Sequence, residues 1–241
     1  MTQMPLTLAQ IKTWIGKMKV ILLSLFILSL SLLGAEPKVV SLDKIEYRNK
    51  SGSHLVYIAN QDTPFTGIAV SFFANGQKRK ELTYKNGKSD GLSSGWFKNG
   101  KKSWERNYKE GKYDGLVAFW YESGQNKMVS NYKNGQHHGL WTKWYENGQI
   151  KGTGNHKEGS QHEHWVGWYD NGRLRDEVYY NGGLMERAIV WKPDGKKCPI
   201  TKVEAGSGVM VGYNQDGTEF GRFTYEKGEF SHWKLSSRSS P

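Results

Sequence analysis

The densest group of side chains able to do chemistry lies between residues 137 and 164, where His137, His138, His156, His162 and His164 gather around Glu163. Neutral imidazoles and a carboxylate could hold a divalent metal ion, and an imidazole could also move a proton near neutral pH. His138 and His162 stand 24 residues apart. The set lacks the short fixed spacings of zinc motifs, so the simpler expectation is variation on a turn surface, and no metal is assigned. Cys198 is the sole cysteine, which leaves no intramolecular disulfide and no multi-cysteine zinc site. No nucleophile elbow, phosphate loop or paired-carboxylate pattern occurs. The Gly-x-Gly fragments fall in turns, without the strand-to-helix setting that a phosphate loop needs. These residues predict a non-enzyme with no cofactor.

The elements that must position these residues are marked by glycine. Gly52, Gly76, Gly100, Gly124, Gly148 and Gly172 follow one another at 24 residues, in Asn-Gly or Ser-Gly pairs, and Asp194-Gly195 and Asp216-Gly217 continue the series at shorter steps. A second glycine stands 11 residues after each from Gly76 on: Gly87, Gly111, Gly135, Gly159, Gly183, Gly206 and Gly228. Self-similarity at such a period marks a repeat architecture, and repeats build surfaces more readily than one catalytic pocket.

In phase, the best units read Trp96-Phe97-Lys98-Asn99-Gly100, Trp120-Tyr121-Glu122-Ser123-Gly124, Trp144-Tyr145-Glu146-Asn147-Gly148 and Trp168-Tyr169-Asp170-Asn171-Gly172. Tyr84, Tyr108, Tyr132, His156 or Tyr180 follows eight residues after each first-turn glycine. A further glycine opens the next strand at Gly67, Gly91, Gly115 and Gly139, and Glu163 interrupts that series. Asn-Gly between aromatic runs is a hairpin signal of type I′, which needs positive φ at both central residues. The prediction is an all-β protein: an elongated antiparallel hairpin meander or solenoid of about eight repeats, forming a single curled sheet.

The same phasing predicts a stacked row of Trp96, Trp120, Trp144 and Trp168, with Phe97, Tyr121, Tyr145 and Tyr169 on the opposite face. Aromatic pairs in such rows add roughly 0.5–1.5 kcal/mol each. Two-residue turns would set each ring opposite the third residue after the glycine. Those residues are Arg79, Ser103, Lys127, Lys151 and Arg175, which brings cations onto the rings. Trp96, Trp120, Trp144, Trp168, Lys127, Lys151 and Arg175 are therefore the candidate binding surface.

Lys and Arg number 34 against 23 acids, a net charge of +11. The basic surface favours anionic partners, although lysines in solvated turns account for much of it. Val20 to Leu33 is an uncharged apolar run after Lys17 and Lys19 and before Gly34-Ala35, the pattern of a secretory signal peptide. Residues 1–35 are read as that leader, with Met18 as an alternative start and an uncleaved anchor as the alternative fate. An N-terminal strand or cap follows over 36–51, regular repeats over 52–185, worn repeats over 186–230 and a tail over 231–241.

The unit Trp144-Tyr145-Glu146-Asn147-Gly148-Gln149, with its Tyr-Lys-Asn-Gly and Gly-Leu-Trp continuations, resembles the MORN-variant repeat. The segment Asp62-Thr63-Pro64-Phe65-Thr66-Gly67, running into Phe72-Phe73-Ala74-Asn75-Gly76, is similar to the start of bacterial YwqK-type antitoxins of toxin–antitoxin systems. The resemblance spans about residues 43–230. It implies a hairpin array, no catalysis and binding through a surface.

Three functions are open at this point. The first is an exported, envelope-associated scaffold binding another protein. The second is an aromatic platform for envelope carbohydrate or anionic lipid. The third is a cytosolic antitoxin binding its toxin. Nucleic acid is not expected as a partner of an exported chain.

Overall fold

The computed structural model describes residues 37–50 and 53–235. The leader-like segment 1–35, Gly52 of the glycine series and the expected tail over 236–241 lie outside the described residues. The strands are β1 (Val39–Ser41), β2 (Ile45–Lys50), β3 (Ser53–Ile58), β4 (Gly67–Phe72), β5 (Lys78–Lys85), β6 (Lys88–Ser89), β7 (Gly91–Trp96), β8 (Lys102–Lys109), β9 (Lys112–Trp120) and β10 (Asn126–Lys133). They continue as β11 (Gln136–Trp144), β12 (Ile150–Lys157), β13 (Ser160–Trp168), β14 (Leu174–Asn181), β15 (Leu184–Val190), β16 (Lys202–Glu204), β17 (Ser207–Tyr213), β18 (Glu219–Glu226) and β19 (Glu229–Leu235). From β4 onward each strand pairs antiparallel with the next, except that short β6 continues into β7 along β5. The protein is all-β, a meander of hairpins, as the repeats predict. β19 runs on to Leu235, so residues 231–235 belong to the sheet rather than to a tail.

The two turns of each repeat differ in a way opposite to expectation. In the first turn of each repeat φ is positive at the glycine alone, as at Gly100 (80°) and Gly148 (85°). Phe97 N–H donates to Lys101 C=O at 2.9 Å and Gly100 N–H to Phe97 C=O at 3.0 Å, closing a three-residue loop. This is a type I turn followed by a left-handed glycine, not type I′. The asparagine side chain explains the choice. Asn99 Oδ1 accepts the Lys101 N–H at 3.0 Å, and Asn147 Oδ1 accepts that of Gln149 at 3.0 Å. That side-chain turn holds the asparagine in ordinary right-handed geometry. The two-residue type I′ turns are instead the second ones. There Asn86, Glu110, Asn134 and Glu158 take φ of 49–52° before their glycines, and Lys227 takes 51°.

The longer loop moves the register by one residue. Trp96 pairs with Lys102, Trp120 with Asn126, Trp144 with Ile150 and Trp168 with Leu174. Arg79, Ser103, Lys127, Lys151 and Arg175 are thus not the cross-strand partners of the ring row.

Neighbouring repeats are joined by hydrogen bonds as well as by the ladder. The second-turn glycines Gly111, Gly135 and Gly159 donate to the carbonyls of Ser89, Tyr113 and His137 at 2.7–2.9 Å. Tyr121, Tyr145 and Tyr169 donate their hydroxyls to the carbonyls of Trp144, Trp168 and Trp191, each at 2.8 Å. Burial pushes the Tyr169 hydroxyl up to about 12, so it remains a donor at any ordinary pH. The tyrosine after each tryptophan is therefore a staple to the next repeat.

The buried clusters are small. Val56, Phe65, Ala69 and Tyr84 form one, with Leu42, Ile45 and Ile58 packed against it. Val178, Met185, Ala188 and Val203 form another, and Tyr169, Val190, Cys198, Val211 and Tyr213 a third. Cys198 lies in that third core, with Sγ 3.1 Å from the Tyr213 hydroxyl.

Candidate interaction surface

The tryptophan row is not an open platform. Trp96, Trp120 and Trp168 are half-buried and Trp144 is buried. Among the described residues no ring contact joins the four to one another, so the expected stack is absent. Each ring of the row lies two strands from its counterpart, and the staples between repeats pass through the following tyrosines instead.

The cations expected on the tryptophans have moved with the register. Lys127 Nζ lies 5.3 Å from the Tyr121 ring centroid and Lys151 Nζ 5.0 Å from that of Tyr145. Arg79 lies 5.8 Å from the Phe73 ring, whereas Trp96 receives Lys78 at 5.3 Å. Arg175 is held by an ion pair with Asp176. Contacts of this kind at exposed sites are worth about 0.5–1 kcal/mol. They reinforce the hairpins and occupy the outer faces of the tyrosines.

The continuous ring stack runs elsewhere, beside the type I′ turns. Its centroids step from Tyr108 to Tyr113 (4.9 Å), Tyr132 (5.1 Å), His137 (4.1 Å), His156 (4.6 Å) and Trp165 (4.9 Å), ending at Tyr180 (6.3 Å). The position eight residues after each first-turn glycine marked four of these seven rungs, Tyr108, Tyr132, His156 and Tyr180. The other three, Tyr113, His137 and Trp165, stand on the following strands and become visible only once the hairpins pair.

This stack absorbs part of the histidine group. His137 exchanges hydrogen bonds with Ser130 Oγ and Tyr132 Oη, both at 2.8 Å, and its ring stacks on His156. Burial depresses the pKa of His137; burial and then the His137 charge depress that of His156. His164 stacks on Tyr179 at 4.5 Å, and His138 is exposed. His162 Nε2 lies 4.0 Å from Glu163 Oε1. His156 Nδ1, His162 Nδ1 and His164 Nε2 are buried without a hydrogen-bond partner among the described residues. Among those residues no three His, Cys, Asp or Glu side chains converge as a metal-binding set. His137 and His156 act here as aromatic rungs.

Glu163 occupies the strand-opening position of Gly67, Gly91, Gly115 and Gly139. Those glycines have φ of 145°, 92°, 101° and 86°, and Glu163 has 59°. The bulge it sits in is common to the repeats, and only here does a side chain bear its left-handed geometry.

A feature missed by the sequence reading is the last strand. All seven residues of β19 are exposed, and it pairs with β18 alone among the described residues. Phe230, Trp233 and Leu235 stand 53%, 55% and 62% exposed. The pairs Phe223↔Trp233 and Gly221↔Leu235 place two of them on one sheet face, and Thr224↔His232 and Arg222↔Lys234 place an imidazole and two cations on the other. The period-two pattern His232-Trp233-Lys234-Leu235 was a strand signal that a reading in 24-residue units overlooked.

Residues 65–86 and 138–158 match the family model of the MORN repeat variant. No curated protein matches the chain. The matched segments are the β4–β5 and β11–β12 hairpins.

Proposed function

We propose that this chain is a non-catalytic scaffold that binds another protein. The observation that supports it most directly is β19: a strand whose outer edge no described residue pairs, with three large apolar side chains in solvent. An exposed apolar strand end is costly to leave in water and suits a partner that covers it.

The finer form of the proposal places the scaffold outside the cytoplasm, on the strength of the apolar run Val20–Leu33, with a toxin protein as the bound partner by resemblance of the repeats. Surface immobilisation of the chain lacking residues 1–35 tests the reading against an envelope fraction. Saturable retention of a protein, competed by free chain, is the expected result. Retention that never saturates and vanishes with moderate salt would count against a specific partner. Detection of a mature N-terminus near Glu36 tests the location.

A further inference from the structure

We infer that β19 is a docking edge for an extended segment of another protein in which acidic and apolar residues alternate. This inference rests on the scaffold reading and specifies where the partner sits and what it is made of. Its basis is the chemistry of the two faces that meet at the edge. A strand added beside β19 would point alternate side chains to opposite faces. On one face they meet Trp233 and Leu235, with Phe230 toward the turn, where it and Tyr225 border an open groove of about 480 Å³.

On the other face the added side chains meet His232 and Lys234. Behind these, a second groove of about 370 Å³ is floored by Ile200 and Val209 and edged by Lys202 and Arg222. Arg222 is held by Glu219 at 2.8 and 3.2 Å. Lys202 and Lys234 thus bring positive charge to this groove, and no acidic residue is among those lining it. Glutamate or aspartate on that face and aliphatic residues on the other complement both sides of the edge.

A second copy of this chain fits less well. Antiparallel pairing of β19 with itself about Trp233 would set Lys234 of each molecule opposite His232 of the other, which gives neither lysine an acidic partner.

The test uses the whole chain and a labelled peptide alternating glutamate with valine, read by fluorescence anisotropy. The controls are a lysine–valine peptide and two glutamate–valine peptides N-methylated on one or the other set of alternate residues. Saturable binding of the acidic peptide is expected, weaker by about tenfold or more for the lysine peptide and for the Lys234→Glu chain. One N-methylated peptide should lose binding and the other retain it, as strand pairing through one edge requires. Trp233→Asp should abolish binding while the urea midpoint stays near that of the parent chain.

Equal binding of all peptides, or indifference to Lys234→Glu, overturns the inference. So does concentration-dependent dimerisation that Trp233→Asp dissolves, which would make a second copy the occupant. A protein partner that binds the Trp233→Asp chain as tightly as the parent chain also overturns it, but leaves the scaffold reading standing with its site elsewhere.

Discussion

At the N-terminal end of the array β2 and β3 fold back on the first hairpin and bury Val56, Phe65, Ala69 and Tyr84; at the C-terminal end β19 buries none of its residues. The first end is closed by segments that belong to no repeat. Val56 N–H donates to Gly87 C=O and Gly87 N–H to Phe65 C=O, both at 2.8 Å, so the cap takes up both backbone groups of the glycine in the Asn86-Gly87 turn. β1 lies parallel to β4, the one parallel pair of the sheet. Gly67 makes that approach possible, since a Cβ there would stand 2.2 Å from the Lys38 carbonyl oxygen. At the last end no described residue pairs with the outer edge of β19. In a row of identical hairpins every internal unit is covered by two neighbours, while a terminal unit lacks one. Among the described residues that deficit is met at the first end and not at the last.

The sharpest way to break this contrast is to weaken both ends alike. Phe65→Ala should destabilise the protein by about 3–5 kcal/mol, because the ring is 3% exposed and packs on Tyr84. Trp233→Ala should cost no more than about 0.5 kcal/mol, the usual range for an exposed position. Urea unfolding measures both. Equal losses would mean that the C-terminal end is packed as firmly as the cap.

Between the ends, Tyr145→Phe removes one staple to the Trp168 carbonyl and should cost about 1 kcal/mol in the same measurement. No loss would show that the ladder alone carries the repeats. Glu163→Gly should raise stability by up to about 1 kcal/mol, since glycine takes the positive φ without strain. A lower midpoint would show that the Glu163 side chain contributes more than its backbone costs.

The smallest effect is a pH response centred in the array. His137 and His156 have pKa values depressed below the ordinary 6.5 by burial. The unfolded chain therefore takes up protons that the folded chain resists. Their contribution to stability is complete above 6.5 and declines as pH falls from there toward the depressed folded values. Thermal unfolding between about pH 7.5 and pH 5 should show this decline. His156→Tyr, which restores the repeat's usual residue, should flatten it, and an unchanged slope would place the response outside the ring stack.

Much of the fold was legible because glycine reports backbone geometry directly. The positions of both turns, the hairpin count and the tyrosine staples' spacing could be read from Gly76 to Gly172 and their partners. The turn types could not, because Asn-Gly is compatible with type I′ and with type I plus a left-handed glycine. The Asn99 and Asn147 side chains decide between them by bonding their own backbone. That one extra loop residue moved Lys127 and Lys151 from the tryptophans to the tyrosines. The expected stack of tryptophans, and the cations set on them, thus gave way to the shift in register. The apolar edge of β19 was overlooked because residues 231–235 fall outside the 24-residue pattern.

By itself, then, the order of residues determined the repeat, the places where the chain reverses and the pairing of consecutive strands, all of which depend on local φ preferences and near neighbours. The tertiary structure alone decided which rings touch, that His137 and His156 are rungs of the ring stack, and that among the described residues one end of the sheet is covered and the other is not. Those outcomes depend on register and on what packs from outside the repeat. A one-residue shift in a loop or a non-repeating cap changes them without changing the repeat that the eye finds first.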